Sequence, residues 1–277
     1  MIPPLMIKET IKNALKEDLG QGDLTTFYTV PAQARGSGRI LAKETGVMAG
    51  LFVAAEVFHC VDGTLQVERL VEDGTRVRAG QPVMHISGRL QAILLAERTA
   101  LNFLQRLSGI ATKTALWVEA IKDYPVRLAD TRKTTPGLRM LEKYAVAVGG
   151  GYNHRLALDS GILIKENHIR AAGGITAAVK AVRERAPFTV RIEVEVTDLA
   201  QLQEALAAGA DIIMLDNMDI EMMRQAVAIT EGRALLEASG NVTYERLVEI
   251  AATGVDIISC GALTHSFKSL DLSLLLD

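Results

Sequence analysis

The sequence predicts an α/β protein in two parts: a small α/β domain, then a barrel of parallel strands joined by crossover helices. Three observations carry this expectation. From Val126 onward, short apolar strand patterns alternate with helical ones, and that order needs a parallel sheet with crossovers. Gly209-Ala210-Asp211-Ile212-Ile213 returns 45 residues later as Gly254-Val255-Asp256-Ile257-Ile258, the spacing of one β/α unit with its loops. No Gly-rich phosphate loop follows any strand, which argues against an open doubly wound sheet and for closure.

The first helix has Ile7, Ile11, Ala14, Leu15 and Leu19 on one face and stops at Gly20. Strand patterns follow at Arg39–Ala42, Leu65–Leu70, Arg76–Val77 and Pro82–Ile86, with a helix around Phe52–His59. Asp73-Gly74 and Ala79-Gly80 are turn signals. A long helix is expected from Gln91 to Leu107, ended by Ser108-Gly109, with a second helix through Lys122. Barrel strands are expected at Val126–Ala129, Gly161–Ile164, Thr189–Val196, Asp211–Leu215, Ala234–Ala238 and Asp256–Ser259. Helices are expected at Ile175–Arg185, Leu199–Ala208, Ile220–Thr230 and Tyr244–Ala252. The apolar tail Leu270–Leu276 would be a liability if exposed, so it is expected to pack back on the N-terminal domain. The expected division is 1–110 for the first domain, 111–266 for the barrel and 267–277 for the tail.

Composition narrows the function. The 277 residues are 49% hydrophobic and 23% charged, which excludes disorder as the main state. A net charge of −3 argues against a basic nucleic-acid-binding domain. Cys60 and Cys260 are too far apart for a local metal knuckle. With no leader pattern or membrane-length apolar run, the expectation is a reduced, cytoplasmic protein without nucleic-acid or membrane partners. Between Arg127 and Arg170, eight Lys or Arg face four Asp or Glu, so a basic patch sits in an otherwise acidic chain. Such a patch suits a small polyanion.

The strand ends supply chemistry. They carry Asp130-Thr131-Arg132-Lys133, Lys165-Glu166-Asn167-His168, Asp216-Asn217, Ser239-Gly240 and Ser259-Cys260-Gly261. In Val190–Val196 the strict alternation turns Arg191, Glu193 and Glu195 toward the barrel axis, where buried carboxylates need partners. Arg132, Lys133, His154, Arg155 and Lys165 are donors for carboxylates or phosphates. Glu195 and Asp216 suit sugar hydroxyls or a water-bridged Mg²⁺. The small ends at Ser239-Gly240 and Gly261-Ala262 suit a phosphate on backbone amides. Phosphoribosyl transfer fits this set. An aldolase-like lyase with Lys165 or Lys133 as Schiff base fits the barrel too.

Motif by motif, the chain resembles the quinolinate phosphoribosyltransferases, the carboxylating nicotinate-nucleotide diphosphorylases. The matching runs include Ala96–Asn102, Asp130–Gly137, Gly149–Arg155, Leu163–His168, Ile192–Val196, Glu237–Gly240 and Ile258–Ser266. The resemblance implies an N-terminal α/β sandwich and a seven-stranded α/β barrel, the seventh strand falling in Gly149–Leu158. It implies that quinolinate and 5-phosphoribosyl-1-diphosphate, with Mg²⁺, give nicotinate mononucleotide, diphosphate and CO₂ in NAD biosynthesis. Arg132, His154, Arg155 and Lys165 would hold the quinolinate carboxylates, with Arg98 reaching in from the partner subunit. Lys133 would contact phosphates. Glu195 and Asp216 would bind ribose and the metal shell, and Ser239, Gly240, Ser259 and Gly261 would cradle the 5-phosphate. The implied assembly is a homodimer with shared sites, or a hexamer.

Overall fold

The computed structural model describes residues 4–277. Among these residues, twelve strands and eleven helices divide into two compact units. One holds the chain through Ala115 with residues 135–150 and 266–277, and the other holds Leu116–Thr134 and Gly151–His265.

The first unit begins with α1 (Pro4–Leu19) and α2 (Leu24–Thr29), the latter capped by Asp23, whose carboxylate accepts from the Thr26 amide. Strands β1 (Arg35–Ala42), β3 (Gln66–Arg69) and β5 (Pro82–Arg89) form an antiparallel sheet, while β2 (Gly46–Val47) pairs with β4 (Arg76–Val77). Between them α3 (Leu51–Val61) buries Leu51, Val53, Ala54, Val57 and Phe58. Its first amides are met from outside the helix: Asp73 accepts from the Gly50 and Leu51 amides, each at 3.0 Å.

One helix, α4 (Leu90–Ala120), replaces the two expected between Gln91 and Lys122. Ser108-Gly109 is no stop signal. Ser108 is fully buried, and its Oγ accepts from the Ala49 amide at 3.0 Å. Gly109 is a notch: a Cβ there would lie 2.3 Å from the Lys268 carbonyl oxygen and 2.9 Å from Ser269 Cα. The returning chain is fastened to the helix beside the notch, with the Leu270 amide donating to the Gln105 carbonyl and Gln105 Nε2 to the Leu272 carbonyl. It ends as a strand, Leu272–Leu276, antiparallel to β1 from Gly38↔Leu276 to Ala42↔Leu272. Helix α5 (Arg139–Val148) completes this unit, and its Glu142, fully buried, pairs with Arg106.

The second unit repeats strand and helix. Its strands are β6 (Arg127–Ala129), β7 (Ile162–Ile164), β8 (Ile192–Val196), β9 (Ile212–Asp216), β10 (Leu235–Ser239) and β11 (Ile257–Ser259). They form one parallel sheet in the order β6-β11-β10-β9-β8-β7. The crossovers are α6 (Glu166–Ala172), α7 (Ile175–Arg185), α8 (Leu199–Ala207), α9 (Ile220–Thr230) and α10 (Tyr244–Ala251), followed by the short α11 (Ala262–His265). The expected seventh strand is reduced to a single parallel bridge, Tyr152 with Ala129. On the other side of that segment, Arg155 donates a side-chain hydrogen bond to the Gly161 carbonyl just before β7.

The internal echo has a structural cause. The Asp of each copy sits just before a strand and accepts an amide at the start of the neighbouring strand, from its first residue in one case and its second in the other: Asp211 from Ile192 at 2.7 Å, Asp256 from Leu236 at 2.8 Å. Each Asp amide donates to the carbonyl of that same residue. The repeat is a device for closing the open end of a parallel ladder.

Helix propensity alone would make Gly109→Ala stabilising by about 1 kcal/mol. The contact with the Lys268 carbonyl reverses the sign. The expected outcome in urea unfolding is a loss of about 1–3 kcal/mol.

Candidate active site

Two cavities open on the barrel axis. The first, about 530 Å³, lies at the C-terminal ends of the strands, where barrel folds place ligands. Arg132, Lys133, Arg155 and Lys165 bring positive charge to it, Glu195 and Asp216 negative charge. Ser239, Gly240 and Ser259 form its small-residue side. The second, about 380 Å³, lies at the N-terminal ends, with Arg127 and Arg191 near the strand starts and Glu193 and Glu237 deeper. His154 and Arg155 line both.

Each functional side chain has a local reason for its place. Lys133 follows β6 in a loop held at two points: its amide donates to Thr131 Oγ1 at 3.0 Å, and its carbonyl accepts from Thr264 Oγ1 at 2.8 Å. Gly261 makes room for its stem, because a Cβ there would be 2.8 Å from Lys133 Cδ. Lys165 caps α6 and pairs with Glu195. His168 serves the same cap, its Nδ1 accepting the Lys165 amide at 2.9 Å. Asp216 is oriented by a chain that sequence reasoning missed: Asn241 Nδ2 donates to Asn217 Oδ1, and Asn217 Nδ2 to Asp216 Oδ2, both at 2.9 Å. Gly240 is forced by this chain, having φ +87° and only 2.2 Å between a built Cβ and Asn217 Oδ1. Asn217 and Asn241 also have positive φ, which Asn tolerates better than most residues. Ser259 Oγ reaches Ser239 Oγ at 3.1 Å and ties β11 to β10.

The cationic side is poised for an anion. Arg132 Nε is buried without an acceptor. Burial, and then the charge of Arg132, lower the pKa of Arg155, so two guanidinium groups are held close despite repulsion. An unmet buried donor is costly, and a carboxylate would satisfy it.

Beneath lies a buried cluster. His154 Nε2 is 3.2 Å from Glu193 and 3.5 Å from Glu237, and its Nδ1 accepts the Arg155 amide at 2.8 Å. Burial acts to lower the His154 pKa, while hydrogen bonds to Glu193 and Glu237 and their charges act to raise it by favouring a proton on the ring. Burial likewise raises the pKa of Glu193. With Nδ1 taken by the Arg155 amide, the shared proton sits between Nε2 and the carboxylates. The ligand atoms of His154, Glu193 and Glu237 lie within 4.8 Å of one another. The amide on Nδ1 nevertheless fixes Nε2 as the protonated nitrogen, so the trio is a hydrogen-bonded cluster and not a metal cage.

His154 has both ring nitrogens committed to protein groups. Gly149 lets the end of α5 approach α4, a Cβ there being 2.6 Å from the Ala111 carbonyl oxygen. Cys260 is buried and packs, with Sγ 3.6 Å from the Val242 carbonyl. Arg98 is exposed on α4.

Residues 110–275 match the quinolinate phosphoribosyl transferase C-terminal domain, and residues 23–108 match the N-terminal domain. This chain belongs to the quinolinate phosphoribosyltransferase family. A probable nicotinate-nucleotide pyrophosphorylase [carboxylating] from Synechocystis is 47% identical over 277 residues, covering 99% of this chain and 94% of that one. One from Bacillus subtilis is 45% identical, covering 98% and 93%. The solved nicotinate-nucleotide pyrophosphorylase of Francisella tularensis superposes with a TM-score of 0.95 at 42% identity, covering 100% and 98%. Members of this family are metal-dependent users of phosphoribosyl diphosphate. Among the described residues of this chain, no helix is long and apolar enough to cross a membrane.

Proposed function

We propose that this chain transfers the phosphoribosyl group of 5-phosphoribosyl-1-diphosphate to quinolinate, releasing diphosphate and CO₂ and forming nicotinate mononucleotide. The observation that carries the reading, beside family membership, is the buried Arg132 Nε donor at a cavity that also holds Arg155 and Lys165. Three cations around one aromatic acid suit a dicarboxylate better than a monocarboxylate.

In this reading Arg132, Arg155 and Lys165 hold the two quinolinate carboxylates and aim the pyridine nitrogen at C1 of the ribose. Diphosphate departs as Lys133 takes up its charge. Positive charge grows on C1 and the ring oxygen, and Glu195 and Asp216 stabilise it. The pyridine nitrogen then bonds to C1 within an oriented pair. The nitrogen becomes cationic, the bond between C2 and its carboxylate breaks, and the electron pair left on C2 is stabilised by the adjacent positive nitrogen until a proton arrives. No covalent enzyme intermediate is needed. Ser239, Gly240, Ser259 and Gly261 cradle the 5-phosphate, at strand ends where polar atoms and bare backbone coincide. The donors Glu195 and Asp216 are hard carboxylate oxygens, and through water they would hold Mg²⁺, which neutralises charge on the diphosphate. Arg98 acts on the substrate of a partner subunit, so the working form is at least a homodimer.

An endpoint assay with Mg²⁺, phosphoribosyl diphosphate and either quinolinate or nicotinate tests the reaction. Nucleotide and labelled CO₂ are expected from quinolinate, with little nucleotide from nicotinate. The reverse preference would move the reading to a relative acting on a monocarboxylate. Arg98→Ala chains are expected to be inactive alone and to regain activity when mixed with Lys165→Ala chains. Persistent inactivity in verified mixed dimers would place Arg98 in service of its own subunit.

A further inference from the structure

The wall between the two barrel cavities is polar, and the transfer reaction leaves part of it unused. Glu193 and Glu237 are 5% and 2% exposed and reach inward from β8 and β10. They converge on one ring nitrogen of His154, while the other accepts the Arg155 amide. The His154 amide donates to Asp130 Oδ1 at 2.9 Å, and Asn153 Nδ2 to Asp130 Oδ2 at 2.6 Å. Asp130 is itself fully buried at the end of β6.

The position of this network matters because its backbone is weakly held. Among the described residues, the backbone ladder of the segment carrying Asn153, His154 and Arg155 is the single bridge at Tyr152. Every other barrel strand has at least three residues in register with a neighbour. Side-chain bonds supply what the missing ladder does not. The last link of the chain is the Arg155 amide, and the Arg155 side chain turns back to the Gly161 carbonyl at 3.0 Å.

We propose that Glu193 and Glu237 are positioning residues for the reaction: they hold the His154 ring, and the ring sets where Arg155 presents its guanidinium to the carboxylates of the aromatic substrate. This rests on the carboxylating reading above and deepens it. Glu193 and Glu237 touch no substrate. Their effect belongs to the aromatic acid alone, since the phosphoribosyl side is held by Lys133, Glu195 and Asp216 on other strand ends.

The test compares wild type, Glu237→Leu and Glu237→Gln, varying each substrate in turn. It is run beside nitrogen NMR of histidine-labelled protein, with His154 assigned by its loss in His154→Asn. Leu keeps the volume and removes the acceptor, whereas the Gln oxygen still accepts from Nε2–H. E237L is expected to raise KM for quinolinate about tenfold or more, with KM for phosphoribosyl diphosphate within about twofold. Its His154 signals are expected to leave the Nε2–H pattern, and E237Q is expected to restore both readings most of the way. An unchanged quinolinate KM in folded E237L, equal loss for both substrates, or no recovery in E237Q overturns the proposal. If E237L does not fold, Glu237→Met replaces it under the same criteria. Wild-type protein inactive on quinolinate overturns the underlying reading instead. The NMR arm then still decides the positioning link, because unchanged His154 signals in E237L refute it.

Discussion

Two carboxylates inside a barrel set the terms for much of this structure. Glu193 and Glu237 lie where a barrel normally packs branched apolar side chains. Left alone, each would cost several kcal/mol in desolvation. The imidazole of His154 meets both, and its other nitrogen, its amide and its neighbour Asn153 are drawn into the same set of bonds. The arrangement divides the barrel into an upper cavity facing the strand C-termini and a lower one facing the N-termini. It also gives the upper cavity a charged floor.

The upper rim shows the same economy on a smaller scale. Asp216 points as it does because Asn217 and Asn241 form a relay. The relay fits because residue 240 lacks a side chain. Lys133 depends in the same way on Gly261, with Thr131 and Thr264 fixing its backbone. Glycines and amides at the strand ends thus position charged neighbours as well as exposing backbone.

Much of this was legible in the sequence, for physical reasons that differ by element. The helices Ile175–Arg185 and Ile220–Thr230 have the predicted bounds because an apolar stripe and terminal signals coincide there. The inward alternation of Glu193 and Glu195 follows from strand geometry alone. The seventh strand was not assignable by periodicity, since one bridge leaves no alternating pattern to find. Ser108-Gly109 was misread because a local stop signal and a tertiary notch use the same residues. What distinguishes them is the chain at Lys268, distant in sequence. The Asn217–Asn241 relay and the role of Glu237 were hidden similarly, their partners lying on other strands. Motif resemblance located the charged residues but carried no information about which ring nitrogen of His154 faces which group.

The pairing of β1 with the last strand bears on how the polypeptide assembles. Arg39 and Asp277, joined by an ion pair, are 238 positions apart, and the first unit draws on three separate stretches of chain. Its four-stranded sheet therefore stays incomplete until residues 272–276 have been synthesised. Strands β7 to β11 each find a neighbour one β/α unit away, and only β6 must wait for a distant partner, β11. Closing the longer loop carries the greater entropic cost. On the ribosome, β1 emerges before the barrel but is thus paired after it, its sheet edge left open until residues 272–276 have been made.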